Sequence, residues 1–285
     1  MSKSHANRPC ISIGLLGLLI SIVYLAANHR LILHVKSIPT VQIQSKSVVM
    51  KPRAYIITAD CYSTRFNATK QNVERAFPNF FEVVCFLAIP LNDSRISFHS
   101  SAILFRKWAS NLLAFVELWT YEIPKHCAQN ELQWSFIFED DVNFYDLSKV
   151  SLKNYISPLQ EMMSHPDVHL KDGFFYLGIC EPKYNNDTQM IVLKDTNNSV
   201  ISKRNYGYCL HATAITAKRS RIFWGEIASY RPNANEKSLD YQLREFSMRS
   251  KSYFYTFGSN LHYPPGTGHF GVAFQDRGKF WSTVT

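Results

Sequence analysis

From about residue 52 onward, short apolar runs alternate with longer stretches whose apolar residues recur at helical spacing. AYIIT (54–58) is bounded by polar residues and predicts a buried strand. In the STRFNATKQNVERAF stretch that follows, Ser63 or Thr64 can cap a helix with Phe66, Val73 and Phe77 on its apolar face. EVVCFLA (82–88) predicts a second strand. Apolar residues at 104, 108, 112, 115, 116 and 119 then hold helical spacing for four turns, and Pro124 is expected to end that helix. WSFIF (134–138) and GFFYLGI (173–179) predict strands, with helix signals around 151–164 between them. The polar, Asn-rich stretch 182–205 reads as a loop or a hairpin. YCLHATAITA (208–217) predicts a strand, 218–230 a helix, SLDYQLREFSM (238–248) a helix capped by Ser238, and SYFYTF (252–257) a late strand. The Gly-, Pro- and His-rich tail reads as ordered loop. This alternation predicts an α/β domain on a mainly parallel sheet with helices on both faces.

The N-terminus breaks the pattern. ISIGLLGLLISIVYLAA (11–27) carries no charge and is close to the length of a membrane span. It predicts a single-pass signal-anchor after a cytoplasmic tail (1–10), followed by a stem (28–51) and a luminal domain (52–285). A signal peptide cleaved after Ala27 is the alternative. Lys3 and Arg8 before the segment nearly balance Arg30, Lys36 and Lys46 after it, so the positive-inside rule does not orient it. N-glycosylation sequons at Asn67, Asn92, Asn186 and Asn197 favour a luminal domain, hence a type II protein of the Golgi or endoplasmic reticulum membrane.

The chain has 285 residues, enough for one large domain with a substantial core, and a net charge of +9 that suits an anionic partner. Its Lys and Arg residues are scattered and no nucleic-acid-binding signature is present, so nucleic acid is not expected. Cys61, Cys85, Cys127, Cys180 and Cys209 would be luminal, where disulfides form, and the odd number leaves at least one outside an internal pair. Cys85, inside EVVCFLA, also reads as a small buried hydrophobe. No C-x-x-C pair, P-loop, dinucleotide fingerprint, G-x-S-x-G or H-E-x-x-H is present.

The chemistry concentrates in FIFEDDVNF (136–144), where a buried strand runs into Glu139, Asp140 and Asp141. Three adjacent carboxylates lose hydration and repel one another. A metal ion, a shared proton or exposure to water could each compensate. Positions i and i+2 can face the same way at a strand end, which would aim Glu139 and Asp141 at a ligand and turn Asp140 aside. Magnesium or manganese beside a nucleotide needs only one or two carboxylates. In the tail, His262 and His269 flank a Gly-rich loop, and neutral imidazole is a further candidate ligand for manganese.

These features resemble the luminal glycosyltransferases of the GT-A fold. More narrowly, the order of segments resembles family 25, the lipopolysaccharide and procollagen galactosyltransferase group. The resemblance rests on the Arg-containing helix after the first strand, the EDD strand end, YLG at 176–178, HATAITAKRSRIF and the Asp of SLDYQL, over roughly residues 53–245. Two departures stand out: the Ser-His pair of the family's long helix falls at Ala114 and Phe115, and its first-strand NLD is Thr58, Ala59 and Asp60.

The resemblance implies a metal-dependent hexosyltransferase. It would transfer a hexose such as galactose from a UDP-sugar to a glycan or glycoprotein acceptor, with Mn²⁺ or Mg²⁺ as cofactor. Asp141 would be the main metal ligand, Glu139 would bind the nucleotide or a metal-bound water, Asp60 and Arg65 would lie near the base or diphosphate, and Asp240 would be the general base. A metal-dependent phosphoryl-transfer enzyme, or a non-catalytic membrane-anchored interaction domain derived from a transferase, are the alternatives.

Overall fold

Both faces of the central sheet are buried, which is why its strands read as continuous apolar runs. The computed structural model describes residues 51–97, 103–150, 152–184, 189–195, 198–229, 238–261 and 268–276. The expected tail, anchor and nearly all of the stem lie outside the described residues, as do His262 and the sequons at Asn186 and Asn197. Among the described residues no helix is long and apolar enough to cross a membrane, so the expected anchor has no counterpart there. Asn67 and Asn92 are exposed.

The strands are β1 (Arg53–Thr58), β2 (Glu82–Leu87), β3 (Trp134–Glu139), β4 (Val142–Phe144), β5 (Phe174–Lys183), β6 (Met190–Asp195), β7 (Asn198–Thr216), β8 (Phe254–Thr256), β9 (His269–Gly271) and β10 (Ala273–Gln275). The main helices are α1 (Thr64–Ala76), α2 (Ile103–Glu117), α3 (Ile156–Ser164), α4 (Ala217–Ser229) and α5 (Leu239–Ser250). The main sheet runs β2-β1-β3-β7-β8-β5-β9, with β6 paired to β7 and a further β5–β7 pairing, while β10 and β4 form a separate antiparallel pair.

The expectation of a mainly parallel sheet is corrected. The sheet is mixed: β1 is parallel to β2 and β3, and β5 to β8, whereas β7 is antiparallel to β3, β5, β6 and β8, and β9 to β5. The reason lies between β5 and β7. Among the described residues no helix crosses over there; the Asn-rich stretch forms β6 and the start of β7 as an antiparallel pair, which reverses direction where a helical crossover would preserve it.

Side chains alternate between two cores. Ala54, Ile56, Phe136, Phe138, Phe175 and Leu177 pack with Phe66 and Val73 of α1 and Leu159 and Met162 of α3. Tyr55, Ile57, Ile137, Phe174, Tyr176 and Ile179 pack against Leu112 and Phe115 of α2, Phe223 of α4 and Leu243 of α5. Trp119 is fully buried in the second core, where truncation to Ala would cost about 3–5 kcal/mol.

Two local features differ from expectation. Pro124 does not end the long helix: α2 continues through a π-turn (Leu118–Glu122) into a last turn (Ile123–His126), with Pro124 among its first residues. The π-turn shifts the hydrogen-bond register where proline supplies no N–H. Cys85 is paired with Cys61, which ties the loop after β1 to β2, and a second disulfide joins Cys180 to Cys209. Cys127 is the free, buried cysteine among the described residues.

Candidate functional site at the end of the parallel strands

The acid cluster sits where the parallel strands end. Ile57 of β1 lies in register with Glu139, so Thr58 and the following loop face Asp140 and Asp141. Ser63 caps α1 by accepting the Phe66 N–H at 3.1 Å, which places Arg65 in the first turn of the helix. From there the Arg65 guanidinium reaches Asp140 Oδ1 at 2.8 Å and Asp141 Oδ2 at 3.7 Å. Thr58 Oγ1 donates to Asp140 Oδ2 at 2.7 Å. Asp140 is thereby bound into the fold, while Asp141, 3% exposed, shares the same cation.

Glu139 has other partners. Asn111 of α2 donates Nδ2–H to its Oε1 at 3.0 Å, and Gln275 of β10 donates Nε2–H to its Oε2 at 2.9 Å. Lost hydration, then the charge of Asp141 and, more weakly, that of Asp240, push the Glu139 carboxyl up to about 8, against the pull of the two amides. Glu139, Asp141 and Asp240 therefore form one electrostatic group. Asp240 lies in the first turn of α5, half-buried, and its Oδ2 accepts the Cys209 N–H at 3.3 Å. Tyr176, buried on β5, is pushed up by burial and by the same Asp240 charge.

The carboxylates open onto a cavity of about 490 Å³ lined by Thr58, Ala59, Arg65, Ile89, Pro90, Lys107, Ser110, Asn111 and Glu139 to Asp141. Its size is that of a small-molecule site, and its place beyond the C-terminal ends of parallel strands is where α/β sheets bind ligands. Arg65 and Lys107 supply positive charge on a wall that also carries Thr58, Ser110, Asn111 and the three acids.

The structure thus brings Arg65, Glu139, Asp141 and Asp240 together. Asp60 is exposed and accepts the Tyr62 N–H at 2.8 Å, so it shapes the loop after β1. His269 lies on β9 with Nδ1 3.8 Å from Cys180 Sγ, against the disulfide. Asn111, Gln275 and Lys107 carry no signal in the sequence, and Thr58 stands out there only as a departure from the family's first-strand pattern. Each is a lone polar residue in an apolar or amphipathic segment, and only the fold aims it at the acids.

The donor set suits a hard divalent cation: three carboxylates against two nearby cations, with Glu139 raised by burial and then by the Asp141 charge. No protein-family model matches the chain, and no curated protein matches it.

Proposed function

We propose that the chain is a glycosyltransferase that moves a hexose, such as galactose, from a UDP-sugar to a hydroxyl of a glycan or glycoprotein. The observation that carries this reading is a cavity of about 490 Å³ lined by Glu139, Asp140 and Asp141 together with Arg65 and Lys107, with the Asp240 charge felt at Glu139. Acids and bases on one wall suit a ligand that is itself a diphosphate with a cation. The EDD and YLG segments that resemble family 25 transferases support the same reading.

Asp141 and Glu139 would hold manganese or magnesium, which when bound offsets the diphosphate charge. Arg65 and Lys107 would receive the phosphate oxygens. Asp240, at a helix start and fixed by the Cys209 N–H, would take the proton from the acceptor hydroxyl. That oxygen attacks the anomeric carbon, the bond from this carbon to the diphosphate oxygen breaks, and UDP leaves toward the basic wall. The two disulfides suit an oxidising compartment such as the lumen of the secretory pathway.

The test is UDP release by the full-length chain from a panel of UDP-sugars, with and without Mn²⁺. Asp240→Asn is expected to lower kcat by about 10²–10⁴-fold with little change in KM, and Asp141→Asn to abolish manganese-dependent release. No release with any donor together with no manganese-dependent UDP binding, or full activity in Asp141→Ala, would overturn the reading.

A further inference from the structure

Next to the carboxylates stands a cluster of different chemistry. Cys180 on β5 and Cys209 on β7 form a disulfide, and His211 offers a ring nitrogen within 4.8 Å of both sulfurs. His269 on β9 pairs in register with Cys180, its Nδ1 is 3.8 Å from Cys180 Sγ, and its ring centroid is 6.0 Å from that of His211. The backbone is irregular here. The β5–β7 register shifts on both sides of Cys180, and Cys209 has φ +70°, the left-handed region that a side chain rarely adopts. Bulges and such residues re-aim side chains and concentrate at functional sites.

The His211 ring is held by the backbone. Its Nε2 lies 3.2 Å from the Ala273 carbonyl oxygen. A carbonyl only accepts, so Nε2 carries the proton and the neutral ring keeps its lone pair on Nδ1. An imidazole held through its far N–H by a backbone carbonyl is the usual outer-shell arrangement of a metal-bound histidine. The packing around it is rigid: a methyl group on Gly178 would stand 2.4 Å from His211 Nε2 and 2.2 Å from the Ala273 oxygen.

We propose that the Cys180–Cys209 disulfide is the closed form of a zinc-type site, and that on reduction the two sulfurs, with His211 and His269, take up one tetrahedral divalent cation. Zn–S bonds of about 2.3 Å and Zn–N bonds of about 2.0–2.1 Å set a tetrahedral S···N edge of about 3.6 Å; His269 Nδ1 and Nε2 stand 3.8 and 4.0 Å from Cys180 Sγ, so the ring must turn and draw in as the disulfide opens to join Cys180, Cys209 and His211. The chemistry balances. A dithiol gives two electrons and two protons to the disulfide and becomes a disulfide itself. Two S–H bonds then give way to two metal–sulfur bonds, with release of two protons. Two thiolates, two neutral imidazoles and a dication sum to zero charge, which suits a buried position. Sulfur and imidazole donors select a softer ion than the carboxylates of Glu139 and Asp141 do.

The two sites share supports. The Cys209 N–H binds Asp240, and Gln275, which donates to Glu139, places its Oε1 3.9 Å from Cys209 Sγ. Opening the disulfide therefore acts on the residues that hold two of the three grouped acids. The metal site itself does not depend on the transferase reading.

The experiment uses the full-length chain, reduced with a phosphine and titrated anaerobically with Co²⁺. The reduced chain is expected to develop tetrahedral d–d absorption and a thiolate-to-cobalt charge-transfer band at a single equivalent, both bleached by Zn²⁺. The oxidised chain should show neither. His269→Ala, which leaves both cysteines in place, is expected to weaken cobalt binding by about ten-fold or more, and Asp141→Asn to leave the band intact. No charge-transfer band in the reduced chain, undiminished affinity in His269→Ala, or a band that survives in Cys180→Ser/Cys209→Ser overturns the proposal.

Discussion

Replacing Arg65 by alanine would remove the cation that two buried carboxylates share. The guanidinium stands 2.8 Å from Asp140 and 3.7 Å from Asp141, and the three side chains are 17%, 12% and 4% exposed. At an effective dielectric constant of about 20 the two attractions are gross terms of about 6 and 4.5 kcal/mol. Desolvation of the charges cancels much of this, and loss of one partner from a buried pair costs about 3–5 kcal/mol net. Thr58 still donates to Asp140 in the variant, so about 3 kcal/mol is expected. Urea unfolding of the full-length chain at pH 7.5, with divalent ions chelated, measures this directly. With m of about 3 kcal/mol/M the midpoint moves down by about 1 M. Arg65→Met, which keeps the apolar stem, should show the same loss. A deficit below about 1 kcal/mol, or an Arg65→Met variant as stable as the unsubstituted chain, would refute the assignment of Arg65 as the counter-ion.

Three further outcomes follow from the same geometry. With divalent ions chelated, stability should fall as pH rises from 4.5 toward about 8, because folded Glu139 keeps a proton that the unfolded chain has released; Glu139→Gln should flatten this slope in pH-dependent melts, and an unchanged slope would count against it. Removing the Cys61–Cys85 disulfide, which closes a loop with a sequence separation of 24, should cost about 3.5 kcal/mol in denaturant unfolding. Gly178→Ala should cost about 3 kcal/mol, since the added methyl would meet the Ala273 carbonyl oxygen at 2.2 Å and backbone there must shift; a neutral result would show that β5 and β10 are less tightly packed than described.

What could be read in the sequence was local. The Ser63 cap, the apolar runs of β1 and β3 and the acids at the end of β3 each follow from neighbouring residues. Strand direction does not. An apolar run reads alike in either orientation, so the antiparallel course of β7 was visible only as an ambiguity in the Asn-rich stretch before it. The Cys180–Cys209 pairing joins positions separated by 29 in sequence, and spacing alone selects no partner. Strands as short as β9 and β10 carry too few residues to show a period. Gln275 is the clearest case: a single amide in an aromatic- and Gly-rich tail becomes a partner of Glu139 only because β10 pairs with β4.

That pairing also sets an order in time. Glu139 and Gln275 are separated by 136 positions, and the Asp276 N–H closes on the Asp141 carbonyl oxygen at 2.9 Å. A ribosome adding about 5–20 residues per second needs roughly 7–27 s to pass from one to the other. During that interval the acid-bearing turn can find β1 and Arg65 but not its last amide. The acid cluster therefore has its full set of partners only after residue 276 has emerged, so a nascent chain exposes an unfinished cluster to the folding machinery.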